Sequence, residues 1–455
     1  MIAPTTEGPL SGNITLSQGA FAKPTAGYVV EEYFLAGTAR SFAPTVDEAA
    51  QYTTRLVVVR PANPAAFNGT VLAEWLNVSA GADAAPDWAY LHRELVRKGF
   101  AWVGVSAQKV GIDSSSMGMP GMAALKQADP ERYARLVHPG DAFAYDIFTQ
   151  AGEAIRAGAI LGPIRATHLL AVGESQSAAY LTTYVNEVAR GGAIFDGYLI
   201  HSRFAGAAPL DGNYMISVQA MARGEASPPV FIRADIELPV MMVISETDLA
   251  SPLIGYVTAR QADTDRIRTW EIAGTAHADT YAMSVGALDD GTASIASLAK
   301  AFAATDRIMG MTLPTPINAA PQHHYVLQAA LRALAAWVAQ GILPPRAEPL
   351  RLRDNVTFAL DEDGNALGGV RSPWVDVPTA ILSGLGQDAP GLLRLFGTTR
   401  PFDGATLARL YPGGRVEYVG RFNKALKSAI DAGFILEDDR EEIEALALAM
   451  YPAAG

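Results

Sequence analysis

Short apolar runs, almost without alternation, recur along this chain at residues 56–59, 71–73, 101–105, 168–172, 198–200 and 240–244. A strand with one wet face alternates apolar and polar positions; a strand buried on both faces does not. The runs therefore predict strands inside a sheet covered on both sides. Between them, apolar residues fall at helical spacing in 89–96, in 144–157 (Phe148, Ala151 and Ile155), in 176–188 and in 325–340. Strand–helix alternation of this kind predicts an α/β fold, with a mostly parallel central sheet flanked by helices. The stretch before Leu56 is strand-rich, with 28–30 and 32–35 set between Gly and Pro punctuation.

Three stretches, 111–139, 203–237 and 278–322, fit the alternation poorly. Long insertions of this kind are often lids or binding loops. Pro344-Pro345 follows the last long helix and marks a boundary. Residues 1–345 are expected to form the main domain, and 346–455 an extension packed on its core. In that extension 356–360 and 366–370 flank the turn signal Asp363-Gly364. Helices are expected around 416–432 and 440–450.

Composition narrows the chemistry. The 455 residues include no Cys, which removes disulfides, zinc-thiolate sites and cysteine nucleophiles together. The balance of 35 Lys+Arg against 47 Asp+Glu gives a net charge of −12, which repels phosphate backbones and argues against nucleic-acid binding. No apolar run approaches the ~18 residues that span a bilayer, and no basic n-region opens the chain. The expected location is the cytoplasm. The sequence does not specify an oligomeric state.

The sharpest local signal is Gly173-Glu174-Ser175-Gln176-Ser177, set between an apolar strand and a helix. A strand–turn–helix of small residues around a Ser is the context of a nucleophile elbow. Ser177 replaces the usual final Gly. A decoy, Gly104-Val105-Ser106, also follows a strand but runs into a loop. A Ser nucleophile needs a base, and the base needs an orienting acid, in the chain order Ser, acid, His. His277 lies on the loop after the strand-like 267–272 and is the expected base. His323 and His324, at a helix start, are the alternatives, with helix-end solvation as their ordinary role. The acid should follow 238–244, where Asp248 and Glu246 both qualify. Asp248 is favoured for its spacing from Ser245 and its shorter arm.

Two backbone N–H groups should face a developing oxyanion. Gln176 supplies one, and Asn77 or Val78 the other. His201 and Arg203 follow a strand end, where ligands bind in open α/β sheets, and are candidates for substrate contact. Met117, Met119 and Met122 suit core packing or an acyl pocket. Gly384-Leu385-Gly386-Gln387-Asp388-Ala389 matches a dinucleotide pattern, but no strand precedes it, so it reads as a loop. No metal motif and no cofactor motif occurs.

The chain resembles the α/β-hydrolase superfamily, and within it the bacterial alpha/beta hydrolase domain-containing proteins. The resemblance is carried by Glu74-Trp75-Leu76-Asn77-Val78, His138-Pro139-Gly140-Asp141, Gly173–Ser177, His201-Ser202-Arg203, Ser245-Glu246-Thr247-Asp248 and Gly368–Trp374. It implies an α/β-hydrolase fold and hydrolysis of a small ester, or a related acyl group, through a Ser–acid–His triad without a cofactor. Acyl transfer, amide or peptide cleavage on the same triad, or a non-catalytic binding role, are the other readings.

Overall fold

The computed structural model describes residues 3–14, 16, 27–43, 48–113, 122–189, 192, 194–214, 228–252, 254–308, 310–354, 356–389 and 391–452. Met117 and Met119 lie outside them. The chain divides into two compact units. The first holds 1–241, 265–267 and 334–342; the second holds 242–264, 268–333 and 343–455. The division does not fall at 345. The second unit joins the C-terminal extension to the loops that carry Asp248 and His277.

In the first unit the apolar runs become strands. They are β2 (Tyr28–Arg40), β3 (Ala49–Pro61), β4 (Thr70–Trp75), β5 (Ala101–Val105), β6 (His168–Glu174) and β7 (Gly197–His201), with a short β1 (Thr5–Glu7). β8 (Val240–Ser245) and β9 (Ile267–Ile272) begin in this unit. The sheet order is β1-β2-β3-β5-β4-β6-β7-β8-β9. β4 pairs in parallel with β5 and β6, and β6 with β7. The β1–β2, β2–β3 and β3–β5 pairs are antiparallel. The strand-rich N-terminus thus adds an antiparallel flank to a parallel centre.

Two helices, Ala144–Arg156 and Gln176–Thr183, hold aromatic side chains against the end of β4. Trp75 lies 4.7 Å from Phe148 and 5.2 Å from Tyr180 between ring centroids. Contacts of this kind add about 0.5–1.5 kcal/mol each beyond burial. The expected 176–188 helix changes register on the way: Tyr184–Val188 is a π-turn.

Helix Pro86–Arg97 has no side-chain cap of its own at Ala85. Glu74, at the end of β4, supplies one from a distance. Its carboxylate accepts the N–H groups of Asp87 and Trp88, at 3.1 and 2.8 Å, and the Trp102 indole N–H at 2.8 Å. Acceptors at a helix N-terminus satisfy donors that the helix cannot. Burial, and then the nearby Asp87 charge, push the Glu74 carboxyl well above its usual range.

On β3, fully buried Arg55 meets Asp83 at 2.7 Å and Glu32 at 3.5 Å. The decoy Ser106 is part of this cluster. Its hydroxyl donates to Asp83 at 2.5 Å and accepts the Arg55 Nε–H at 3.1 Å.

Helix Gln322–Gln340, whose first part (322–333) belongs to the second unit, begins earlier than its apolar spacing predicts. His323 and His324 are buried in it, not solvated at its end. His323 Nδ1 lies 3.2 Å from Asp279, and the His324 ring stacks 3.8 Å from Tyr281. The stretch 278–322 is not wholly irregular: it contains a π-turn at Tyr281–Val285 and a helix at Ile295–Ala301. In the extension, the turn at Asp363-Gly364 joins segments that meet only by isolated bridges such as Leu360↔Ala366. Helices Gly414–Asp431 and Arg440–Met450 close the chain.

Removing Arg55 takes the guanidinium from buried Asp83 and leaves Glu32 with Arg132 alone of its two guanidinium partners. Arg55→Ala is expected to lower stability by about 3–5 kcal/mol, measured by urea denaturation.

Candidate active site

Ser175 sits on the turn between β6 and helix Gln176–Thr183. Its φ is +58° and its ψ −115°. Only Ser175 and Ser202, among described residues other than Gly, have positive φ. Such backbone is costly for a residue with a Cβ and persists only where its surroundings enforce it. Here the Ser175 N–H donates to the His201 carbonyl at 3.0 Å, and the Ser175 carbonyl accepts the Ala179 N–H at 3.2 Å. A Cβ on Gly173 would lie 2.9 Å from the Ser177 carbonyl oxygen. Strand and helix therefore approach too closely for a side chain at 173, and Ser177 is small enough for its own position. The Ser175 residue remains 7% exposed.

The loop after β4 corrects one expectation. The Asn77 N–H donates to the Ala84 carbonyl at 2.9 Å, within a small bridge. That N–H is committed to the loop's own bridge rather than turned toward the elbow. The Asn77 side-chain amide instead ties the loop to the elbow, donating to the Glu174 carbonyl at 3.1 Å and carboxylate at 3.2 Å. The Val78 N–H makes only a long contact, 3.4 Å, with Gln176 Oε1. Gln176 opens its helix, so its own N–H has no intrahelical acceptor.

A residue the sequence reading passed over organises this corner. Gln108 accepts from Gln176 Nε2 at 2.8 Å and from the Trp75 indole at 3.2 Å, and donates to Asp141 at 3.0 Å. Its position just past the end of β5 was the available signal.

His201 and Arg203 present no exposed group; both are fully buried. His201 Nδ1 lies 2.9 Å from Asp87. The Arg203 guanidinium donates to the carbonyls of Phe204 and Val230. A cleft of about 430 Å³ in the first unit is lined by Lys109, Asp113, Asp141 and Asp211, among others, and by none of the expected site residues.

The second unit carries Asp248 and His277. Ser245 ends β8 and caps helix Glu246–Ala250 through a reciprocal pair: the Asp248 N–H donates to Ser245 Oγ at 3.2 Å, and the Ser245 N–H to Asp248 Oδ2 at 2.7 Å. The other oxygen, Asp248 Oδ1, lies 2.6 Å from His277 Nδ1. Burial alone would raise the Asp248 carboxyl. The His277 charge, and hydrogen bonds with His277 and Ser245, outweigh it and hold the group below its usual range.

Glu246 faces elsewhere. It accepts the Gly274 N–H at 2.6 Å and the Gly384 N–H at 2.9 Å. Burial pushes its carboxyl up to about 7, against the pull of these donors. Of the two acids, Asp248 is the one in contact with His277.

The structure thus brings Asp248 and His277 together within the second unit, and Ser175, Gln176 and Val78 together within the first. As for metal ligands among the described residues, Asp289, His324 and Glu442 bring one atom each within 4.8 Å of one another. Both carboxylates accept tyrosine hydroxyls, from Tyr281 at 2.9 Å and Tyr325 at 2.7 Å. No helix among the described residues is long and apolar enough to cross a membrane.

Residues 3–445 match the family described as alpha/beta hydrolase domain. The chain belongs to that family. No curated protein matches this alpha/beta hydrolase in sequence. Among solved structures, it is similar to the esterase Est22, with 14% identity, a TM-score of 0.29, and cover of 49% of this chain and 65% of that one. The chain therefore spans less than two thirds of the length of Est22. A putative dienelactone hydrolase from Klebsiella pneumoniae has 15% identity and a TM-score of 0.28, over 50% of this chain and 77% of that one. An esterase structure from Rhizomucor miehei has 15% identity and a TM-score of 0.31, over 71% of this chain and 87% of that one.

Glu246 gives the protein a pH-dependent stability. Its folded pKa, about 7, stands above the ordinary 4.5. The neutral acid is therefore favoured by folding, and its contribution is full below about 4.5 and lost as pH rises through about 7. Relative to Glu246→Gln, the wild type is expected to lose up to ~3 kcal/mol across that window, read by chemical denaturation at a series of pH values.

Proposed function

We propose that this protein is a serine hydrolase that cleaves a carboxylic ester of a small molecule through an acyl-enzyme. The observation that carries the reading is the left-handed turn that lifts Ser175 off the end of a buried strand. The 2.6 Å Asp248–His277 contact, later in the chain and in the expected order, supports it. Belonging to the alpha/beta hydrolase family agrees with it.

In this reaction the Ser175 hydroxyl attacks the ester carbonyl carbon while His277 Nε2 takes its proton. Asp248 accepts the Nδ1–H, which fixes the tautomer and stabilises the imidazolium. The negative charge that develops on the carbonyl oxygen is met by the N–H groups of Gln176 and Val78. Collapse breaks the bond to the alcohol, which leaves with the proton from His277. Water, deprotonated by the same imidazole, then attacks the acyl carbon and frees Ser175.

A fluorophosphonate probe should label the wild type and Ser106→Ala, and fail to label Ser175→Ala. Turnover of a short-chain p-nitrophenyl ester should fall by roughly 10³–10⁴ in Asp248→Asn, and far less in Glu246→Gln. Labelling that survives in Ser175→Ala, or the reverse order of the two acid variants, would overturn these assignments.

A further inference from the structure

The C-terminal extension reaches the acid–base pair inside the second unit. Strand Ala380–Ser383 pairs antiparallel with Thr398–Pro401 and delivers Gly384. The Gly384 carbonyl accepts the Thr247 hydroxyl at 2.6 Å. Thr247 Oγ1 in turn accepts the His277 N–H at 3.1 Å. On the other side, the Gly384 N–H donates to Glu246, whose second oxygen holds the Gly274 N–H. Asn318 Nδ2 donates to the carbonyls of both Gly274 and Ser383, at 3.0 and 3.1 Å. A Cβ on Gly384 would lie 2.5 Å from the Thr247 nitrogen and from the Thr275 oxygen, and 2.6 Å from Glu246 Cβ. The extension's main chain is thus pressed directly onto the segments on either side of the Asp248–His277 contact.

We infer that Thr247 and Gly384 form a brace that sets the position of His277, so that the extension is a working part of the reaction. Both are positioning residues, and the inference rests on His277 being the base.

The side-chain bond to Asp248 fixes only one point of the imidazole. The direction of Nε2 also depends on where the main chain at 277 stands. Thr247 is the neighbour of Asp248 in sequence, so its bond to the His277 N–H makes acid and base one body. A threonine hydroxyl has one proton to give. Given to Gly384, that proton leaves an oxygen lone pair for the His277 N–H. Remove the carbonyl from its place and the hydroxyl loses its orientation. Misplacement of a catalytic group by about 1 Å can lower a rate by about 10²-fold.

The test uses the full chain with Thr247→Val, Thr247→Ser and Gly384→Ala. Two quantities are read: kcat and KM for a p-nitrophenyl ester, and titration of the His277 ring by NMR. Thr247→Val keeps the shape and loses the hydroxyl. It is expected to lower kcat about tenfold to hundredfold with KM little changed. The His277 titration should move to lower pH as its bond to Asp248 loosens. Thr247→Ser keeps the hydroxyl and should restore both readings. Gly384→Ala should follow Thr247→Val; if it fails to fold, the two Thr247 variants decide. A folded Thr247→Val with unchanged kcat and unchanged His277 titration would overturn the brace. Titration that moves as expected, in a protein whose wild type cleaves no ester, would support the brace and reject the proposed reaction.

Discussion

The turn at Ser175 is the constraint around which the first unit is arranged. A side chain held at positive φ costs on the order of 1–3 kcal/mol, and it survives only if everything around it has one place to go. β6 is paired on both sides, with β4 and with β7. The helix that follows lays Tyr180 against Trp75. Gly173 lets the two approach until no Cβ would fit between them. Neighbouring loops are drawn in by the same corner: Asn77 bonds Glu174, and Gln108 bonds Gln176. Relaxing the turn would disturb each of these contacts.

The second unit answers with a division of labour inside one carboxylate. One oxygen of Asp248 closes the cap of its own short helix, and the other meets His277. A buried carboxylate is stable only when its acceptor sites are filled. Asp248 fills them with one structural donor and one imidazole. Glu246, two residues earlier, binds main-chain N–H groups on two separate segments. Two acids of the same loop therefore differ in charge tendency because their partners differ.

Much of this was legible in the sequence. Apolar runs without alternation gave away the buried strands, and Gly173–Ser177 the elbow. The chain order pointed to the segments of Asp248 and His277, which lie in contact, and the family resemblance agreed with the fold. What was not legible depends on where loop hydrogen bonds point. Asn77 sits where an oxyanion donor was expected, yet its N–H turns to Ala84, seven positions on. His323 and His324 look like exposed helix-start residues, but Asp279 and Tyr281 bury them. Thr247 and Gly384 are |i−j| = 137 apart, so no local pattern could pair them. The antiparallel flank was also hidden, because a strand's direction is set by its connections and not by its composition.

The last strand of the sheet has a further consequence. β9 ends the strand order, and an edge strand offers unpaired main-chain groups to any passing chain. Near its C-terminal end this edge is closed by the extension: the Val370 N–H donates to the Glu271 carbonyl at 2.6 Å, and the Ala273 N–H to the Val370 carbonyl at 3.1 Å. The Glu271 side chain adds to the closure by accepting the Leu350 N–H at 2.7 Å. The same residues therefore guard solubility. A chain cut at Pro345 would bare a template on which copies could add strand to strand, and aggregation would set its yield before chemistry did.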